Sequence, residues 1–259
     1  MATQLLIYET AVPVSAARHG KCSVEVRNYE FSRGINSVPV VAAEFPLAAA
    51  EYAIVFAGNS DEVMPVAILG AREKENLFLS QEGGWVAKYI PAFVRRYPFV
   101  FSVAEDPKTF TLCVDEAFPG LNYMGRGEAL FTPEGKPTPF VESVLHFLKE
   151  YVVQAERTKA FCKKLADLEL LEPMQAQFTL GSGEKASLRG FMAVNRSKLK
   201  SLGGEALAEM AKTDELELLY LHLHSMRNFS GVKDRLVQSP SGKEAEDAKS
   251  KSPQDDRGF

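Results

Sequence analysis

The sequence predicts an α+β fold: an antiparallel or mixed sheet from the N-terminal half, then a long helix, a β-hairpin and C-terminal helices, in one compact domain. Three observations carry that expectation. Short apolar runs separated by Gly, Pro, Asn and Asp signals fill the first half, with connections mostly too short for parallel crossovers. From Thr138 onward the apolar residues change to a helical period. Beyond Pro173, two apolar stretches flank Gly181-Ser182-Gly183, as in a hairpin.

The predicted strands cover residues 5–8, 22–26, 53–57, 66–69, 77–79, 99–103 and 110–114, with turn signals such as Gly58-Asn59 and Asp106-Pro107 between them. Between residues 38 and 52 the alanines and Leu47 suggest a short helix, with Pro46 tolerable only near its start. Thr138 can cap a helix and Pro139 suits its first position. Phe140, Val144, Phe147, Leu148, Tyr151, Ala155, Cys162 and Leu165 then mark one face of a long helix over 139–168. The hairpin strands are read over 174–180 and 186–194. Asn195 can cap a short helix to Leu202, and 205–212 reads as another. The segment 214–237 alternates like a strand around Leu221-His222-Leu223-His224. Its Leu, Glu and Met, and a capping Asp214, favour helix. Residues 1–237 therefore form the globular domain. Residues 238–259 are built from Ser, Pro, Gly, Lys, Glu and Asp with too little apolar surface to offset ordering entropy, and read as a disordered polar tail.

Composition excludes several classes. A chain of 259 residues with 25% charged residues and net charge −4 has no electrostatic reason to bind nucleic acid or an anionic membrane. No apolar run spans a bilayer, since Glu44 and Pro46 break the longest. No signal peptide is visible, and Cys22, Cys113 and Cys162 sit far apart among apolar neighbours. Buried thiols in a reducing cytoplasm follow.

The most distinctive stretch runs from Trp85 to Phe101, where aromatic residues, two prolines, Lys88 and Arg95-Arg96 follow neither a helix nor a strand period. Its core phrase is Tyr89-Ile-Pro-Ala-Phe-Val-Arg-Arg-Tyr-Pro-Phe99. With it stand Ser-Val-Pro-Val-Val-Ala-Ala-Glu-Phe-Pro (37–46), Glu51-Tyr52-Ala-Ile-Val-Phe56, Pro-Val-Ala-Ile-Leu-Gly (65–70), Glu75-Asn76-Leu77-Phe78 and Leu171-Glu-Pro-Met174. On these phrases the chain resembles the bacterial SapC family over roughly residues 3 to 236. The family takes its name from a surface-array (S-layer) locus, so the resemblance implies a possible envelope association. It supplies no catalytic residues to carry over.

The residues themselves define one candidate site. On a short helix from Pro91, Arg95 and Arg96 point about 100° apart, so one of them at most faces a given pocket. An arginine beside Trp85, Tyr89 and Tyr97 could fork onto a carboxylate or phosphate; alternatively, it pairs with Glu44 or Glu51. His222 joins the candidate set from the C-terminal segment, the alternative being a polar core contact or a surface position; on a helix it points about 200° from His224, and the two cannot share a metal. His146 and Glu150 fall on the charged side of the long helix, which reads as a solvated face. Asp115 and Glu116 read as solvated carboxylates at a strand end. No nucleophile elbow, dinucleotide fingerprint or P-loop is present; no metal site is expected, and the sequence names no cofactor either way. The ligand-binding set is therefore Trp85, Tyr89, Arg95, Arg96, Tyr97, Glu44 and His222, facing a small-molecule anion or a protein partner. A non-catalytic accessory or binding protein leads. An enzyme assembled from sequence-distant residues and a surface-layer structural protein are the alternatives.

Overall fold

The structure, a computed structural model, describes residues 6–59, 62–103, 110–179 and 185–238. Eleven strands and eight helices are formed by these residues. In chain order they are β1 (Ala11–Pro13), α1 (Ala16–His19), β2 (Ser23–Val24), β3 (Ser37–Pro39), α2 (Phe45–Ala48), β4 (Ile54–Asn59) and β5 (Glu62–Ile68). Next come α3 (Ala92–Arg95), β6 (Phe99–Val103), β7 (Phe110–Asp115), β8 (Leu121–Asn122), β9 (Glu128–Ala129) and α4 (Pro139–Asp167). The chain closes with β10 (Leu171–Thr179), β11 (Lys185–Val194), α5 (Arg196–Lys200), α6 (Gly204–Lys212), α7 (Glu215–Ser225) and α8 (Phe229–Gln238).

All described pairings are antiparallel, in three sheets ordered β1-β7-β6, β10-β11-β4-β5-β3 and β8-β2-β9. The five-stranded sheet is covered on both faces. Ile54, Phe56 and Ala67 belong to the main core, whereas Ala53, Val55, Val66 and Ile68 pack under Val232 and Leu236 of α8 and Phe178 and Phe191 of the hairpin. Side chains of a strand alternate faces, so double coverage explains why 53–57 is apolar throughout.

Helix α4 is the spine. The Thr138 side chain accepts from Val141 N at 3.4 Å and Pro139 opens the first turn. Along its inner face Phe140 meets Phe99 (5.9 Å between centroids), Thr158 Oγ1 accepts from Ala42 N (2.8 Å), and Phe161 meets Phe45 (6.4 Å). Lys164 then pairs with Glu215 at 2.5 Å, tying its C-terminal end to α7. His146 and Glu150 lie on its exposed side.

Four expectations need correction. No strand forms over 6–8; Ile7 and Tyr8 plug the core, Tyr8 Oη donates to Phe99 O (2.7 Å), and the next two amides bond a side chain rather than a ladder. Leu5 lies outside the described residues, and the strand begins at Ala11. Residues 77–79 make one isolated bridge, Leu79 to Trp85, because the Asn76 side chain captures Phe78 N (2.9 Å). The helix expected over 38–52 shrinks to a 3₁₀ turn at 42–44 followed by α2; Pro39 pairs in the sheet and Pro46 holds the first turn. Asp214 caps nothing with its side chain. It sits at φ 60°, reversing the chain between α6 and α7, a conformation short Asp tolerates. The turn at 181–183 lies outside the described residues. Gln238, expected in the tail, closes α8, and residues 239–259 lie outside the described part.

Thr138 also donates to Ala129 O at 2.7 Å. Thr138→Ala removes both bonds and is expected to cost about 1–2 kcal/mol in urea unfolding.

Candidate functional site

Glu44 organises the segment that the sequence singles out. The 3₁₀ turn 42–44 and the Pro46-started α2 bury its carboxylate to 5% exposure. Oε2 accepts from Val41 N (2.8 Å), closing the turn on itself. Oε1 accepts from Tyr89 Oη (2.7 Å) and from Ala92 N (2.7 Å), the first amide of α3. Three neutral donors thus hold a buried carboxylate, the usual condition for burying one. Neither arginine shares it: among the described residues no carboxylate lies within ion-pair distance of Arg95 or Arg96, so the pairing with Glu44 or Glu51 is replaced.

Tyr89 is held from both ends. Tyr52 Oη donates to Tyr89 O, and Trp85 Nε1 donates to Tyr52 Oη at 2.8 Å. Burial, then the Glu44 carboxylate, pushes the Tyr89 phenol well above its ordinary value. Tyr52 is raised chiefly by burial. Both phenols therefore stay neutral donors across the physiological range.

The two arginines diverge at the end of α3. Arg95 is exposed; its Nε donates to Ile90 O (3.0 Å) and its guanidinium lies 5.8 Å from the Tyr89 ring and 5.1 Å from Phe147. Arg96 is half-buried, with its guanidinium 4.2 Å from Phe93, 5.0 Å from Tyr151 and 5.6 Å from Tyr8. Its Nε is buried without a hydrogen-bond partner. Burial pushes the Tyr151 phenol up to about 12, with the Arg96 charge working against it. A cation in a ring of faces gains about 0.5–2 kcal/mol of cation–π attraction, which does not replace the hydrogen bonds of its N–H groups.

Tyr97 lies behind that cage, on the far side of Tyr8. Its ring packs on Phe31 (4.2 Å), Tyr8 (5.1 Å) and Phe118 (5.2 Å), and its hydroxyl donates to Asp115 Oδ2 at 3.2 Å. Asp115 is 0% exposed, which corrects the reading of a solvated strand end. It accepts from Glu9 N (2.8 Å), Thr10 N (2.9 Å) and Ala117 N (3.1 Å) as well. The bond to Ala117 is an Asx turn, visible in principle in Asp115-Glu-Ala-Phe-Pro-Gly120; the partners from residues 9 and 10 carry no local signal.

His222 lies elsewhere, in the core on α7. With the proton on Nδ1, it donates to Ile54 O (2.8 Å), while Nε2 accepts from Val194 N (3.0 Å). It stitches α7 to β4 and β11, and its ring lies 4.9 Å from Phe56. His224 is exposed. Burial depresses the His222 pKa to about 4. Among the described residues no cluster of His, Cys, Asp and Glu could hold a metal. The described residues contain no helix long and apolar enough to cross a membrane. Trp85, Tyr89, Glu44 and the arginines are thus brought together, Tyr97 faces the opposite side of the same segment, and His222 is apart.

The SapC family model matches residues 14–232, which include Glu44, Trp85, Tyr89, Arg95, Arg96, Tyr97 and His222. The chain belongs to the SapC family. Searches of curated proteins and of solved structures each returned no match.

Two outcomes are expected. Glu44→Ala leaves Tyr89 Oη and the Val41 and Ala92 amides without an acceptor and should cost at least about 3 kcal/mol in chemical unfolding. For His222, the unfolded chain binds the proton near pH 6.5 and the folded chain near pH 4. Stability should therefore fall as pH drops through that window, by about 3 kcal/mol in all. His222→Gln should flatten the slope there, measured by urea midpoints from pH 7 to pH 4.

Proposed function

We propose that this SapC-family chain is a binding or accessory protein, not a catalyst, and that it engages an anionic group of a small molecule or protein partner at the Arg95–Arg96 corner. The observation that carries the reading is Arg96: a half-buried guanidinium caged by Phe93, Tyr151 and Tyr8, without a carboxylate partner among the described residues and with Nε unbonded. A carboxylate or phosphate is the group a guanidinium fork fits best. Arg95, exposed beside Tyr89, supplies a second cation at the rim. Trp85, Tyr89 and Glu44 act here as the frame that fixes α3, with Tyr97 behind it, while His222 serves the core between α7, β4 and β11 and takes no part in the site.

The titratable groups support binding over catalysis. Both Glu44 oxygens and both His222 nitrogens are committed to backbone or phenol partners, which leaves neither poised to move a substrate proton. Three buried free thiols support a reducing, cytoplasmic setting.

The test follows the arginine side-chain N–H resonances while acetate or inorganic phosphate is added. The Arg96 Nε–H signal should shift at anion concentrations that leave surface arginines unmoved, and Arg96→Lys should weaken binding about tenfold through loss of the planar fork. An Arg96 signal that moves no more than the others overturns the reading.

A further inference from the structure

The far side of Tyr97 opens into a cleft of about 480 Å³ that the Arg95–Arg96 corner does not use. Its floor is apolar and aromatic: Ile7, Phe31, Tyr97 and Phe118. Phe31 lies tilted on Tyr97 at 4.2 Å, and Phe118 stands edge-on to both. A volume in this range over an aromatic floor is typical of small-molecule sites, and here charged residues stand around that floor.

The lining carries charges of both signs. Arg27 (2.9 Å) and Arg126 (3.8 Å) share the single carboxylate of Glu25, leaving that trio with one net positive charge and spare N–H donors. Glu9, also in the lining, has no cationic partner among the described residues. Glu30, also at the rim, is already neutralised by Arg33.

The cleft is built rather than incidental. Buried Asp115 binds the Glu9 amide of one wall, the Tyr97 hydroxyl of the floor and the Ala117 amide that leads into Phe118. Gly120 lets the walls close: a Cβ there would lie 2.1 Å from Glu25 O and 2.5 Å from the Phe118 ring.

We propose that this cleft binds a small zwitterion with an aromatic body, its ring on Phe31, Tyr97 and Phe118, its carboxylate toward Arg27 and Arg126, and its ammonium toward Glu9. This goes beyond the Arg96 reading and rests on different residues.

Calorimetric titration with four probes tests it. L-Phenylalanine should bind. 3-Phenylpropionate, which lacks the ammonium, and 2-phenylethylamine, which lacks the carboxylate, should each bind at least about tenfold more weakly, and glycine more weakly still. In Glu9→Gln, an exposed change, L-phenylalanine should weaken about tenfold while 3-phenylpropionate is unaffected; Arg126→Ala should weaken L-phenylalanine and spare 2-phenylethylamine. Absence of L-phenylalanine binding, equal binding of all four probes, or insensitivity to Glu9→Gln would overturn the proposal.

Discussion

A single buried carboxylate, that of Glu44, sets the position of everything the Trp85–Phe101 segment does. Burying a charge in an apolar interior is costly unless each lone pair finds a donor. Here the donors come from three places: the turn that carries Glu44, the phenol of Tyr89 and the first amide of α3. Satisfying the carboxylate therefore docks the aromatic segment on the α2 turn and fixes where α3 begins. Everything downstream follows from that start, because α3 is a single turn. Arg95 and Arg96 leave it at fixed angles, and Tyr97 follows them into the core.

The same segment consequently presents two unlike faces. On one, Arg96 is pinned between rings of α3, α4 and the N-terminal stretch, desolvated in part and short of acceptors. On the other, Tyr97 floors a cleft whose walls are gathered by a second buried carboxylate, Asp115. The two carboxylates work alike, each collecting backbone amides and a tyrosine hydroxyl from both near and sequence-distant segments. Both use neutral donors. That choice leaves both arginines without a carboxylate partner among the described residues.

Much of the fold was legible where physics is local. The α4 stripe, the caps Thr138 and Asn195, and the strands at 99–103 and 110–114 follow from periodicity and turn chemistry, and the structure has them. The failures share a cause. Residues 6–8 and 77–79 have strand-like composition, but the amides of Glu9 and Thr10 that follow the first bond the Asp115 side chain, and Phe78 N within the second bonds that of Asn76; composition does not report such captures. For the site, the segment and its divergent arginines could be read from an odd composition and a one-turn helix. That Glu44 takes phenol and amide donors rather than an arginine could not, because residues 44 and 92 meet only through the tertiary fold. His222, polar in an apolar stretch, reads from the sequence either as a member of the site or as a polar core contact, and the core contact is what the fold makes of it.

The most direct test of this account is amide hydrogen exchange at Val41 and Ala92 in the wild type and in Glu44→Gln, a change that keeps shape and removes charge. If the carboxylate holds the α2 turn and α3 as one unit, both amides should lose protection together and by similar factors, while amides of β4 and β5 keep theirs. Protection that persists at Ala92, or losses at the two amides that differ widely, would contradict it.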